Sequence, residues 1–172
     1  MTPNRTVFGF ARTECACEQC VACCEILPAY LVPSDIEVIA AHLGYDDLIQ
    51  FAMENLLASP GAIVKMGQKL ARIPTLVPQR KLDQTCKFLD ADKRCVIHAI
   101  SPFGCRCFDC HMCQHEADLR SSCGLQAIAR EWMTGGLYAR IWMLLHTAGL
   151  VAPCPIEARS RLRKAIASRQ IR

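Results

Sequence analysis

The chain has 172 residues, of which 52% are hydrophobic, 6% aromatic and 13 are cysteine, and it carries a formal net charge of +4. That length suits one domain with a helical extension, and the thin aromatic content with many thiols suits a core completed by metal or disulfides. An odd cysteine count sits badly with a closed disulfide framework, and the mild charge excludes a protein that is basic throughout.

Residues 1–14 show no clear period. Three charges (Arg5, Arg12, Glu14) and the lack of an apolar run of about 7–15 residues speak against a signal peptide, so a cytoplasmic chain with reduced thiols is expected. The stretch Cys15-Ala16-Cys17-Glu18-Gln19-Cys20-Val21-Ala22-Cys23-Cys24 then places five cysteines in ten residues. Cys17, Cys20 and Cys23 have the C-x-x-C-x-x-C spacing that supplies three corners of an iron–sulfur cubane, the fourth ligand arriving from elsewhere. Zinc sites more often pair one C-x-x-C with a distant second pair or with His. Cys24 follows Cys23 directly, and adjacent side chains diverge, so Cys24 should serve a second metal, a bridge or the core.

A helix is predicted from Ser34 or Asp35, with Ser34 as N-cap, Glu37 three residues on and Gly44 as the stop. Ile36, Ile39, Ala40 and Leu43 form its inner stripe. A second helix begins at Tyr45-Asp46-Asp47 and ends before Ser59-Pro60-Gly61. In residues 62–82, Ile73-Pro74 and Val77-Pro78 argue against a central strand and for irregular or edge structure. A hairpin is expected over 86–98, with Asp90-Ala91-Asp92-Lys93 as a four-residue loop and Leu89 opposite Arg94. Alternation in that register puts Cys86, Phe88, Cys95 and Ile97 on one face. Ser101-Pro102-Phe103-Gly104-Cys105-Arg106 is a turn leading to Cys107-x-x-Cys110-x-x-Cys113, with Cys123 ten residues further on. His111 and His115 could join these in a second iron–sulfur site, a zinc site or an elaboration of the first. The last third reads as two helices split by Gly135-Gly136, and Gly149 is a C-cap. The tail Glu157–Arg172 is net +5, leaving the preceding 156 residues at −1. It reads as a solvated helix face; no aromatic stacking pattern accompanies it to argue for nucleic acid. Trp132–Pro153 is interrupted by Gly135-Gly136, Arg140 and His146, which argues for a buried helix and against a membrane span.

The order of these pieces resembles the YkgJ family of cysteine-cluster proteins, described as a zinc- or iron-chelating domain. Cys17, Cys20, Cys23 and Cys24 match its C-x-x-C-x-x-C-C element, and Pro33-Ser34-Asp35 its helix start. Cys86-Lys87-Phe88-Leu89, Cys95-Val96-Ile97-His98 and Ser101–Arg106 match its middle and end. His98 stands where the family has Tyr, and Ser101 where it has Arg. The resemblance covers about residues 17–108 and implies metal binding without a known reaction; Cys107, Cys110, Cys113 and Cys123 lie outside the family core.

The expected fold is therefore mainly α: a small helical domain around a cysteine-rich metal centre, with one short β-hairpin. Residues 1–125 form the metal-binding domain, and 126–172 a helical extension with a basic tail packed on it. The expected cofactor is one or two [4Fe–4S] clusters, with Zn2+ as the alternative. Cys17, Cys20 and Cys23 would be joined by Cys86, Cys95 or Cys105, and Arg106, Lys87 and Arg94 would offset thiolate charge. Cys24 and the later Cys107, Cys110, Cys113 and Cys123 complete the candidate ligands, and Arg106 is the candidate cofactor contact. The role would be electron transfer or assistance to a partner modification enzyme. No Gly-rich phosphate loop, G-x-S-x-G or H-E-x-x-H motif argues for an enzyme in its own right.

Overall fold

The computed structural model describes residues 8–13, 24–26, 28–66, 68–109 and 112–154. The elements run α1 (Pro33–His42), α2 (Leu48–Asn55), β1 (Leu56–Met66), β2 (Lys69–Pro78), a 3-10 turn (His98–Ile100), α3 (Phe103–Arg106), α4 (Gln114–Thr134) and α5 (Leu137–Thr147). The two cysteine-bearing loops lie between β2 and α3.

The fold is a mixture of helix and sheet, which corrects the mainly α expectation. The sheet is a long antiparallel hairpin of β1 and β2, 11 and 10 residues, in the region expected to be irregular. The placement of the prolines explains the difference. The register shifts between Ser59 and Ala62, so Pro60 and Gly61 oppose Pro74 in a bulge, where a missing N–H costs no ladder bond. Gly61 has φ +77, and a Cβ there would sit 1.7 Å from the Ile73 carbonyl oxygen, so only glycine fits the bulge. At the open end the hairpin is flanked on both sides. Leu31 bridges Leu76 on β2, and Val151 lies parallel to Ala58 on β1.

α1 begins one step earlier than expected. Val32 is the N-cap and Pro33 occupies the first turn, while the Asp35 carboxylate accepts the Val32 N–H at 2.9 Å. Ser34 is thus inside the helix. α2 follows with Asp47 as N-cap, its side chain accepting from Ile49 N and Gln50 N at 2.7 and 3.3 Å. α4 runs without a break across residue 125, and the left-handed Gly135 ends it. α5 packs against β1 and buries Tyr138, Ala139, Ile141 and Leu145.

The core joins Ile36 and Ile39 of α1, Phe51 of α2, Leu56 and Leu76 of the hairpin, Ile128 of α4 and Ile141 and Leu145 of α5. Cys86, Phe88, Leu89 and Ile97 belong to this same cluster, so the first cysteine loop is anchored on the main core. Tyr138 welds three elements together. Its hydroxyl accepts from Leu76 N at 2.7 Å and donates to Leu31 O at 2.8 Å, standing in for one bond of the Leu31–Leu76 bridge. Tyr138→Phe leaves two buried backbone groups without that partner and should cost about 2 kcal/mol, read from the urea midpoint at unchanged slope.

Candidate metal centre

Cys86 and Cys95 sit in two near-copies of one turn. In Cys86-Lys87-Phe88-Leu89 the Leu89 N–H returns to Cys86 O at 3.0 Å, and in Cys95-Val96-Ile97-His98 the His98 N–H returns to Cys95 O at 3.0 Å. In each, the residue two places on donates its backbone N–H to the thiol: Phe88 to Cys86 and Ile97 to Cys95. Phe88 and Ile97 are both buried, so the apolar side chain that fixes each turn in the core also aims its N–H at sulfur.

The loop between the turns differs from the expected register. Leu89 bridges Cys95, not Arg94, and Asp90 N bonds Arg94 O at 2.8 Å, leaving a three-residue loop with Lys93 at φ +59. A left-handed third residue is the usual end of such a loop. The slip of one residue does not send the thiols apart, because the chain turns at each cysteine and pleat alternation does not apply.

Cys105 arrives on α3. Gly104 lets this helix pass against residues 29–30: its N–H donates to Tyr30 O at 3.2 Å, and a Cβ there would meet that oxygen at 2.8 Å. The approach puts the Ala29 N–H on the Cys105 thiol. Cys24 is tied in by its carbonyl, which accepts Cys86 N at 2.7 Å, and by Glu25, which pairs with Lys93 at 3.0 Å.

Cys105 lies within electrostatic reach of the thiols of Cys24, Cys86 and Cys95. Cys105 itself keeps solvent-exposed surface. Partial desolvation by the protein, and then the three neighbouring thiols, hold its pKa well above the usual thiol value. Burial pushes Cys86 up to about 11, against the pull of the Phe88 N–H, and burial also raises Cys95. Cys86, Cys95, Cys105, Cys113, Cys123 and Cys154 are free thiols. Among the described residues, no group of three or more His, Cys, Asp or Glu side chains is arranged to hold a metal ion. Cys17, Cys20 and Cys23 lie outside the described residues.

The chemistry of the donor set nonetheless suits a thiophilic metal. Cys86 and Cys95 on their turns and Cys105 on α3 supply soft sulfur donors, and thiolate suits zinc or iron alike. A model of the CxxCxxCC family, described as "Putative zinc- or iron-chelating domain", matches residues 16–124, more than half of the chain. The chain belongs to this family. No curated protein and no solved structure matches it.

The remaining candidates are dispersed. Cys107 is buried in a separate aromatic cluster with Phe103, Val32, Tyr30 and Phe108. Cys113 is the exposed N-cap of α4, and Cys123 lies half-buried ten residues along the same helix, about 15 Å further by helical rise. Cys107 and Cys123 both lie within electrostatic reach of the Tyr30 hydroxyl, while Cys113 lines a recess with Asp109, Glu116 and Arg120. His115 is exposed; Cys110 and His111 lie outside the described residues.

The cations are also arranged differently from the sequence reading. Lys87 donates to Glu54 O at the end of α2, and Arg94 pairs with Asp90 and Asp92 at 3.4 and 2.7 Å. Arg106 is half-buried next to Cys105. The positive charges that favour thiolate at Cys86 are Lys81 and Arg80, and at Cys95 it is Arg12. None of the three lies in a cysteine motif; only Arg80, bridged to Cys86 across the intervening turn, has a backbone signal, and that pairing depends on a register no periodicity reveals. Among the described residues no helix is long and apolar enough to cross a membrane.

Proposed function

We propose that this member of the zinc- or iron-chelating family holds an iron–sulfur centre of the [4Fe–4S] type. Cys17, Cys20 and Cys23 would act with donors from the Cys24, Cys86, Cys95 and Cys105 group. The centre would serve electron transfer or assist a partner modification enzyme. The observation that carries the reading is the backbone pairing that ties Cys24 to Cys86 and Leu89 to Cys95, with Cys105 within electrostatic reach of all three thiols, in a chain that also holds a segment with cubane spacing. Seven thiols exceed what one tetrahedral zinc ion can use. A bound cluster would supply one-electron chemistry. The chain's own part is to exclude water with Phe88, Leu89 and Ile97 and to direct N–H groups at sulfur.

One observation favours zinc. Cys24, Cys86, Cys95 and Cys105 alone number four, the complement of a closed structural zinc site. Anaerobic purification with iron, sulfide and zinc measured on one sample separates the readings. The expected result is a brown protein absorbing near ~400 nm with matched iron and sulfide. A colourless, air-stable protein with stoichiometric zinc overturns the iron–sulfur reading and establishes the other.

A further inference from the structure

Each cysteine turn ends on a carbonyl, and each of those carbonyls is held by a cationic side chain. Lys81 Nζ donates to Leu89 O, which closes the Cys86 turn. Arg12 Nη2 donates to His98 O at 2.6 Å, which closes the Cys95 turn, and Nη1 reaches Ala99 O at 3.4 Å. We infer that Lys81 and Arg12 are positioning residues for the thiol centre, each clamping one cysteine turn from its far end. The inference rests on the metal-centre reading above, whichever metal is bound.

Both cations are themselves fixed by backbone. Lys81 N donates to Thr85 O at 2.9 Å, and Gln84 N returns to Lys81 O at 2.9 Å, so a tight turn with Gln84 at φ +70 presents the lysine. Its neighbour Arg80 bridges Cys86. Arg12 precedes Thr13, whose N–H and hydroxyl donate to Arg106 O at 2.8 and 3.2 Å. Residues 12 and 13 therefore staple the end of the Cys95 turn to the end of α3, which carries Cys105. The spacing of two thiols on separate loops depends on this staple. The geometry suits the residue type, because an arginine fork holds two carbonyls at once.

The test uses the full chain, handled anaerobically, with Co(II) as probe and a chelator as competitor. Arg12→Gln and Lys81→Met should each weaken Co(II) retention about tenfold, the scale seen when outer partners of metal ligands are removed. Arg12→Lys and Lys81→Arg should recover most of the loss. Should Arg12→Gln fail to fold, Lys81→Met decides the matter alone, since it touches only the other turn. Wild-type retention in both neutral variants overturns the inference and leaves the metal centre intact. A wild-type chain showing no thiolate-to-Co(II) absorption overturns the centre itself, and the inference with it.

Discussion

Cys105→Ala is expected to abolish stable metal binding while leaving the helices and the β1–β2 hairpin folded. Cys105 lies within electrostatic reach of Cys24, Cys86 and Cys95, so its loss removes one of the four thiols of the proposed group. Metal affinity should fall by about 100-fold or more, beyond the range typical of outer partners. The cost to the metal-free scaffold should be small. Cys105 is exposed and stands outside the buried cluster that contains Cys86, so its truncation opens no core cavity. Elemental analysis after gel filtration gives the metal-to-protein ratio, and far-ultraviolet circular dichroism follows the scaffold. Cys154→Ala serves as the control. Cys154 follows α5 and lies beyond the matched residues 16–124, and its removal should leave both readouts at wild-type values. Full metal retention in the Cys105 variant would show that this thiol is not a ligand and would disband the proposed group.

Cys86→Ala makes a useful contrast. This thiol is 7% exposed and part of the main core, so its loss should lower metal binding and stability together. Two cysteines in one proposed centre are thereby separable by their packing.

What can be read from the chain alone depends on whether a local rule applies. The order of the cysteines is a pattern of spacing and carries the family directly. Ile36, Ile39 and Ala40 face inward as a 3.6-residue period requires, and Gly135 divides α4 from α5 as its conformational freedom allows. The β1–β2 hairpin stays hidden because Pro74 and Pro78 argue against strands and Pro60 reads as part of a helix end. Two of them sit at a bulge and one at a strand end, where no ladder donor is needed. The Cys86–Cys95 register differs by one residue because Lys93 adopts a left-handed conformation without being glycine. Arg12 and Lys81 cannot be found at all from spacing. Their partners are carbonyls 86 and 8 residues away, and a backbone oxygen leaves no trace in residue type. Lys87 and Arg94 are nearer in sequence but are committed to Glu54 O and to Asp90 and Asp92.

Asp35→Ala should be strongly destabilising, and it should weaken the metal centre from a distance. The Asp35 side chain is fully buried at the start of α1. One carboxylate oxygen accepts two backbone N–H groups, from Val32 at 2.9 Å and from Phe103 at 2.7 Å. The first bond caps α1. The second spans 68 residues and fixes the first residue of α3, two positions before Cys105. Alanine leaves both donors buried without this acceptor, a loss of about 3 kcal/mol when charged hydrogen bonds are involved. In a chain of this size that amounts to a drop of roughly 10 °C in Tm. An asparagine side chain retains an oxygen of similar reach without the charge, so Asp35→Asn should lose less than Asp35→Ala. The coupling to function follows from Phe103. Once its N–H is released, α3 is held against residues 29–30 chiefly by the Gly104 contact, and the Ala29 N–H no longer meets the Cys105 thiol at a fixed position. Chelator competition on the folded Asp35→Asn protein should therefore show weaker metal retention than wild type, with the helical signal unchanged. An Asp35→Ala protein melting within about 1 °C of wild type would mean that the carboxylate bears no such tie, since a lost pair of buried charged bonds cannot hide in so small a shift.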